Sequence, residues 1–146
     1  MTGPDPRDPA YLDHMLEAIV RIRRYVGRKR RAGFLSDALL QDAVIRNIEI
    51  VGEAASRLSP GFTARHPEIP WRDIAGMRHR LIHGYLKVNL DTVWEVVERD
   101  LPALAPRLRA LLGVPPASTV KRPVSKRRGP TPRSARGGRV PAKRRR

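Results

Sequence analysis

The sequence predicts an all-α domain, an antiparallel bundle of four main helices with room for one further short turn. Three observations carry this. Apolar residues recur three or four apart along four stretches, and no stretch alternates apolar and polar as a half-buried strand does. Proline and glycine punctuate those stretches, so the connections are short and successive apolar stripes must face one another. The length, 146 residues, is enough for one core of moderate size.

In the first helix Leu12, Leu16, Ile19, Ile22 and Val26 form the stripe, and Gly33 is the expected stop after the basic run at 28–31. Basic side chains there suit the negative end of a helix dipole. Ser36 is the expected N-cap of the second helix, whose stripe is Leu40, Val44, Ile48, Val51, Ala55 and Leu58. Pro60 and Gly61 should end it, and the loop 61–70 has room for one short turn. A third, shorter helix is expected from Trp71, after Pro70, to Gly84. The fourth follows the cap Asn89, with Val93, Val97, Leu101, Leu104, Leu108 and Leu111 in register. Pro102 falls inside that last pattern and should kink it.

Charge divides the chain. Residues 114–146 hold 12 of the 30 lysines and arginines and none of the 14 acids, leaving 18 basic against 14 acidic side chains, a net of +4, before them. That tail is rich in Pro, Gly, Ser and Arg and offers little apolar surface to offset its ordering entropy, so it is expected to be disordered. It either solubilises the domain or adds affinity for a polyanion through counterion release. The expected boundaries are a flexible N-terminus at 1–9, a domain at 10–113 and the tail at 114–146. The absence of cysteine removes disulfides and thiolate metal sites. The polar start MTGPDPRDPA and the lack of any long apolar run lead to the expectation of a cytoplasmic protein with no membrane span.

The chemistry concentrates in RHRLIHGY, residues 78–85. On an ideal helix Arg78 and His83 are roughly 140° apart and would not share a face. Gly84 can let the chain leave helical geometry, so that His83 in the last turn and Tyr85 on the exit loop border one pocket with Arg78. Histidine exchanges protons near neutrality, and arginine forks onto phosphate oxygens. The pair suits attack on a phosphodiester, with histidine handling a proton and arginine stabilising charge on the phosphoryl oxygens. No acidic cluster with metal-ligand spacing accompanies it, so no metal or other cofactor is expected; the ribose 2′-OH of RNA is then the available nucleophile. A charged helix end with a solvated His and Arg would show the same spacing. His79 competes for the histidine role, whereas His14 and His66 are expected away from the cluster.

Two stretches, RNIEIVGEAASRLS at 46–59 and IPWRDIAGMRHRLIHGY at 69–85, together resemble the HepT-like branch of the HEPN ribonuclease toxins, over roughly residues 10–112. The family motif, Arg, four to six residues, His, any residue, Tyr, falls on Arg78, His83 and Tyr85. His79 stands where relatives commonly carry Asn. The resemblance implies a HEPN-type helical bundle that homodimerises with its two motifs facing across a cleft, and metal-independent RNA endonuclease activity. It implies the toxin of a toxin–antitoxin pair whose partner is an MNT-type nucleotidyltransferase that silences it by transferring AMP to Tyr85. Arg46, Asn47 and Glu53, polar within the second stripe, belong to the resembling stretch. They either support the Arg78–His83 pocket, bond across a dimer interface, or form a solvated face. Two rival readings use the same residues differently: an RNA- or nucleotide-binding module without catalysis, and a basic nucleoid-associated protein read from the tail.

Overall fold

A computed structural model describes residues 5–81 and 87–116, so His83, Gly84, Tyr85 and nearly all of the basic tail lie outside the described residues. Helices α1 (Asp8–Val26) and α3 (Ala38–Ser56) are the two long elements. Around them stand α2 (Arg31–Leu35), α4 (Pro60–Arg65), α5 (Trp71–Ala75), α6 (Met77–Leu81), α7 (Leu90–Glu95) and α8 (Leu101–Leu112). No strand forms among the described residues, and the all-α architecture is the one the periodicity predicts.

α1 and α3 lie antiparallel along their length, since the start of α1 bonds to Ser59 just beyond α3 and Lys29, just beyond α1, pairs with Asp37 at the start of α3. α8 packs on the outside of α1, α5 and α6 on α3, and α2 bridges α3 and α7. The core is the stripe residues themselves. Leu12, Ile19, Ile22, Val44, Ile48, Val51, Val93 and Leu108 are all buried, as are Leu16, Leu40, Leu101 and Leu104. Dry, close packing of this kind supplies most of the stability of short helices, which are marginal alone.

The element ends differ from the sequence expectation in four places. Gly27, at φ 54°, ends α1, and its N–H donates to the Arg23 carbonyl at 2.9 Å. Gly33 instead lies within α2, a helix the sequence reading left out; it exists because Phe34 is fully buried against Trp94, ring centroids 5.4 Å apart. Asp37, not Ser36, caps α3, its carboxylate accepting from the Leu40 N–H at 3.0 Å. Pro60 opens α4 rather than closing α3, because Ser59 caps the new helix and proline suits a first turn.

Three further details shape the bundle. The helix expected from Trp71 is broken at Gly76 into α5 and α6. Pro102 lies in a helical run that continues unbroken from α7 into α8, and the irregularity expected of it appears just before it as a π-helical segment, Val96–Asp100. At the other end Asp8, 1% exposed, accepts from the N–H of Asp5 and from the N–H and Oγ–H of Ser59, tying the starts of α1 and α4 together. Among the described residues no helix is long and apolar enough to cross a membrane.

Candidate active site

α3 presents two faces. Val44, Ile48, Val51 and Ala55 turn inward to α1, and Arg46, Glu49 and Glu53, spaced three and four apart, stand together on another face. What closes over this second face depends on Gly52. A Cβ at Gly52 would lie 3.3 Å from the Ile74 carbonyl oxygen and 3.4 Å from that of Ala75, so the absence of a side chain lets the end of α5 press against α3. The chain then breaks at Gly76 and re-enters helix α6, anchored by the buried Met77 and Leu81. Arg78 and His79, between those anchors, reach the α3 face.

The result is a groove of about 530 Å³ between α1, α3 and the α5–α6 junction. Arg46, Glu49 and Glu53 line it from α3, Arg78 and His79 from α6, and Tyr11 and His14 from α1. Of the residues singled out in the sequence, the structure therefore brings Arg78, His79, Arg46 and Glu53 together. Asn47 is not among them. It is buried, its Oδ1 accepting from Arg21 Nε at 2.9 Å and its Nδ2 donating to the Ala43 carbonyl at 2.8 Å, and so it ties α3 to α1. His83 and Tyr85 lie outside the described residues.

The expectation for His14 is corrected: it lines the groove beside Tyr11, because antiparallel pairing sets the first turns of α1 against the last turns of α3. His66 stays outside. Its carbonyl accepts from Trp71 Nε1 at 2.9 Å and its ring lies 4.8 Å from that of Phe62, which makes it a packing residue.

Glu49 was missed by sequence reasoning and stands at the centre of the groove's charge. Its Oε1 is 3.8 Å from Arg78 Nε and its Oε2 is 3.6 Å from Arg46 Nη1. The i, i+3 spacing from Arg46 was visible in the sequence; the contact with Arg78 was not. Glu53, further along, is engaged by Arg57, which donates from Nε at 2.9 Å. That bond and the charge of Glu53 hold the Arg57 guanidinium above its ordinary pKa. The groove thus offers two guanidiniums, two imidazoles, a tyrosine and two carboxylates, groups able to contact an anion and to move a proton. No three His, Asp or Glu side chains gather at metal-binding spacing among the described residues.

Fold and groove together define an all-α bundle with a charged groove at a broken helix. Residues 15–111 match the Ribonuclease HepT-like family, and the chain belongs to it. It is 41% identical over 101 residues to "Probable ribonuclease HepT" of Thermococcus cleftensis, covering 69% of this chain and 92% of that one. It is 35% identical over 102 residues to a "Putative RNase" of Caldanaerobacter subterraneus subsp. tengcongensis, covering 70% and 91%. A "Gamma-glutamylcyclotransferase and putative RNase" of Methanocaldococcus jannaschii is 46% identical over 94 residues, 64% of this chain; the match spans only 42% of that longer protein. No solved structure matches the chain.

Proposed function

We propose that this protein is the toxin of a toxin–antitoxin pair, an endoribonuclease that cleaves RNA without a metal ion. The observation that carries the reading is Arg78: in a chain of the ribonuclease HepT-like family, the arginine of the Arg-x4-His-x-Tyr motif opens onto a groove that a second arginine, Arg46, also lines. In the reaction the ribose 2′-oxygen attacks the adjacent phosphorus and the bond to the 5′-oxygen breaks. The proton leaving the 2′-OH and the proton gained by the 5′-oxygen are handled by imidazole, and arginine stabilises charge on the phosphoryl oxygens. The products are a 2′,3′-cyclic phosphate and a free 5′-OH.

His83 is the imidazole of this proposal and Arg78 its electrophilic partner. One chain has a single such pair, whereas the step wants both a base and an acid. Two copies with their motifs facing across a cleft meet that need, which is the reason to propose a homodimer. A partner nucleotidyltransferase of the MNT type would silence the enzyme by transferring AMP from ATP to the Tyr85 hydroxyl, whose proton is lost as pyrophosphate leaves. The added phosphodiester anion would compete with RNA phosphate for Arg78.

Purified protein with a labelled RNA tests the reading. Cleavage is expected to persist in chelator, to yield cyclic phosphate ends, to vanish in His83→Ala with helix content unchanged, and to fail at a single 2′-deoxy position. Binding that survives His83→Ala, with no cleavage by the unaltered protein, would establish the non-catalytic module instead. Co-expression with the nucleotidyltransferase should add an AMP mass to the peptide containing Tyr85, and Tyr85→Phe should abolish that addition.

A further inference from the structure

Arg78 and Arg46 come from different helices, α6 and α3, yet both meet the carboxylate of Glu49. The three side chains differ in exposure. Glu49 is 28% exposed, and the two arginines are 66% and 72% exposed. The carboxylate is therefore the most buried of the three, and the guanidiniums are the more open to a ligand. The atoms in contact matter as much. The nearest approaches to Glu49 are made by the inner nitrogen of Arg78, Nε, and a terminal nitrogen of Arg46, Nη1. A guanidinium carries five N–H donors in a rigid fork. Separations of 3.6 and 3.8 Å are attraction without close hydrogen bonding, which leaves the forks able to turn toward a second anion.

We propose that Arg46 and Arg78 form a two-guanidinium seat for one phosphodiester group, and that Glu49 is the positioning residue that holds both forks toward the groove. Two mostly exposed cations on separate helices would repel one another and sample many rotamers. One carboxylate between them removes the repulsion and narrows the rotamers, so less order has to be imposed when phosphate arrives. The backbone supports the same geometry: Gly52, one turn from Glu49, lets α5 approach, and that approach sets where α6 delivers Arg78. The inference rests on the ribonuclease reading for its substrate, but its binding arm is independent of cleavage.

The probe is a fluorescent single-stranded oligonucleotide in which every ribose is 2′-O-methyl, so that it cannot be cut by a 2′-OH. Binding to the full chain is measured by anisotropy over a range of salt. Arg46→Ala and Arg78→Ala are each expected to weaken binding about tenfold, the effect of losing a charge-assisted contact, and to flatten the salt slope by about 0.7. The double variant should be little weaker than either single one, because both side chains hold the same phosphate. Effects that multiply would mean two separate phosphate contacts and would overturn the seat.

Glu49→Gln tests the positioning role on an all-ribose substrate. We expect kcat to fall about tenfold with KM changed less than about twofold, and Glu49→Asp to recover part of the loss. If Glu49→Gln cuts at the full rate, or binds the methylated probe about tenfold more tightly, the carboxylate is idle or a competitor and the role is wrong. Should the unaltered protein cut no RNA, the ribonuclease reading fails, and the anisotropy cycle still decides whether the seat exists.

Discussion

The two faces of α3 teach opposite lessons about what holds this molecule in shape. The inward face, Val44, Ile48, Val51 and Ala55, is nearly solvent-free and packs against α1. Its strength is apolar area and fit, and it tolerates no change of volume. The face carrying Arg46, Glu49 and Glu53 borders an open groove, with charges paired at distances that water and salt weaken. One helix, read twice, is scaffold on one side and chemistry on the other. A substitution should therefore move stability or activity according to the face it touches, and seldom both.

The sharpest contrast comes from Ile48→Ala. Removing a fully buried branched side chain leaves a cavity, and thermal or urea unfolding should show a loss of about 2–5 kcal/mol. Folded Ile48→Ala at low temperature should still cut RNA at a rate close to that of the unaltered protein; a large loss of rate there would show that the two faces are coupled. Arg78→Ala is the reverse experiment. Cleavage should drop about 10²–10³-fold, as expected for removing a transition-state charge partner, with the melting temperature nearly unchanged. A melting shift as large as that of Ile48→Ala would place Arg78 in the scaffold.

Asn47 sits at the seam. Although it belongs to the resembling stretch, its hydrogen bonds go to Arg21 and to the Ala43 carbonyl. Asn47→Ala should cost about 1–3 kcal/mol in urea unfolding, and kcat should stay within a few-fold. If kcat collapses while stability holds, Asn47 belongs to the site. Gly52→Ala addresses the groove from below. Its Cβ would meet the Ile74 carbonyl at 3.3 Å, pushing α5 and hence Arg78 by a few tenths of an ångström. Roughly tenfold less cleavage is expected with little change in melting, since helix propensity favours alanine. Full activity would show that the α5 approach does not set the position of Arg78.

The smallest effect concerns acid. The Arg7 guanidinium, bonded to Asp5, pulls the Asp5 carboxyl down to a pKa of about 2. A carboxyl lowered on folding contributes stability that is present above its ordinary value near 4 and disappears as pH falls toward 2. Asp5→Asn should slightly lower the melting temperature at pH 7, leave it unchanged at pH 2, and so flatten its loss between pH 4 and pH 2. The pair lies at the surface, so the shift should be small, and a larger loss at pH 2 than at pH 7 would contradict the pairing.

The sequence by itself determined which side chains enter the core. The spacing of Leu12 to Val26, of Leu40 to Leu58 and of Val93 to Leu108 is a local property, and nearly every residue on those stripes is buried. It determined that Arg78 is a candidate anion partner, because a motif is also local. Helix ends were less legible: Gly27, Asp37 and Pro60 each compete with a neighbour of similar chemistry, and Phe34 builds α2 only because Trp94, sixty residues on, is there to receive it. Only the tertiary structure decided what meets across the bundle. It set His14 in the groove, turned Asn47 inward to Arg21, and put Glu49 between Arg46 and Arg78. The physical reason is that period and propensity report a residue's direction from its own helix, whereas a contact requires two helices to approach. That approach is set by close packing at points such as Gly52, where the meaning of a missing side chain lies in the carbonyls of Ile74 and Ala75.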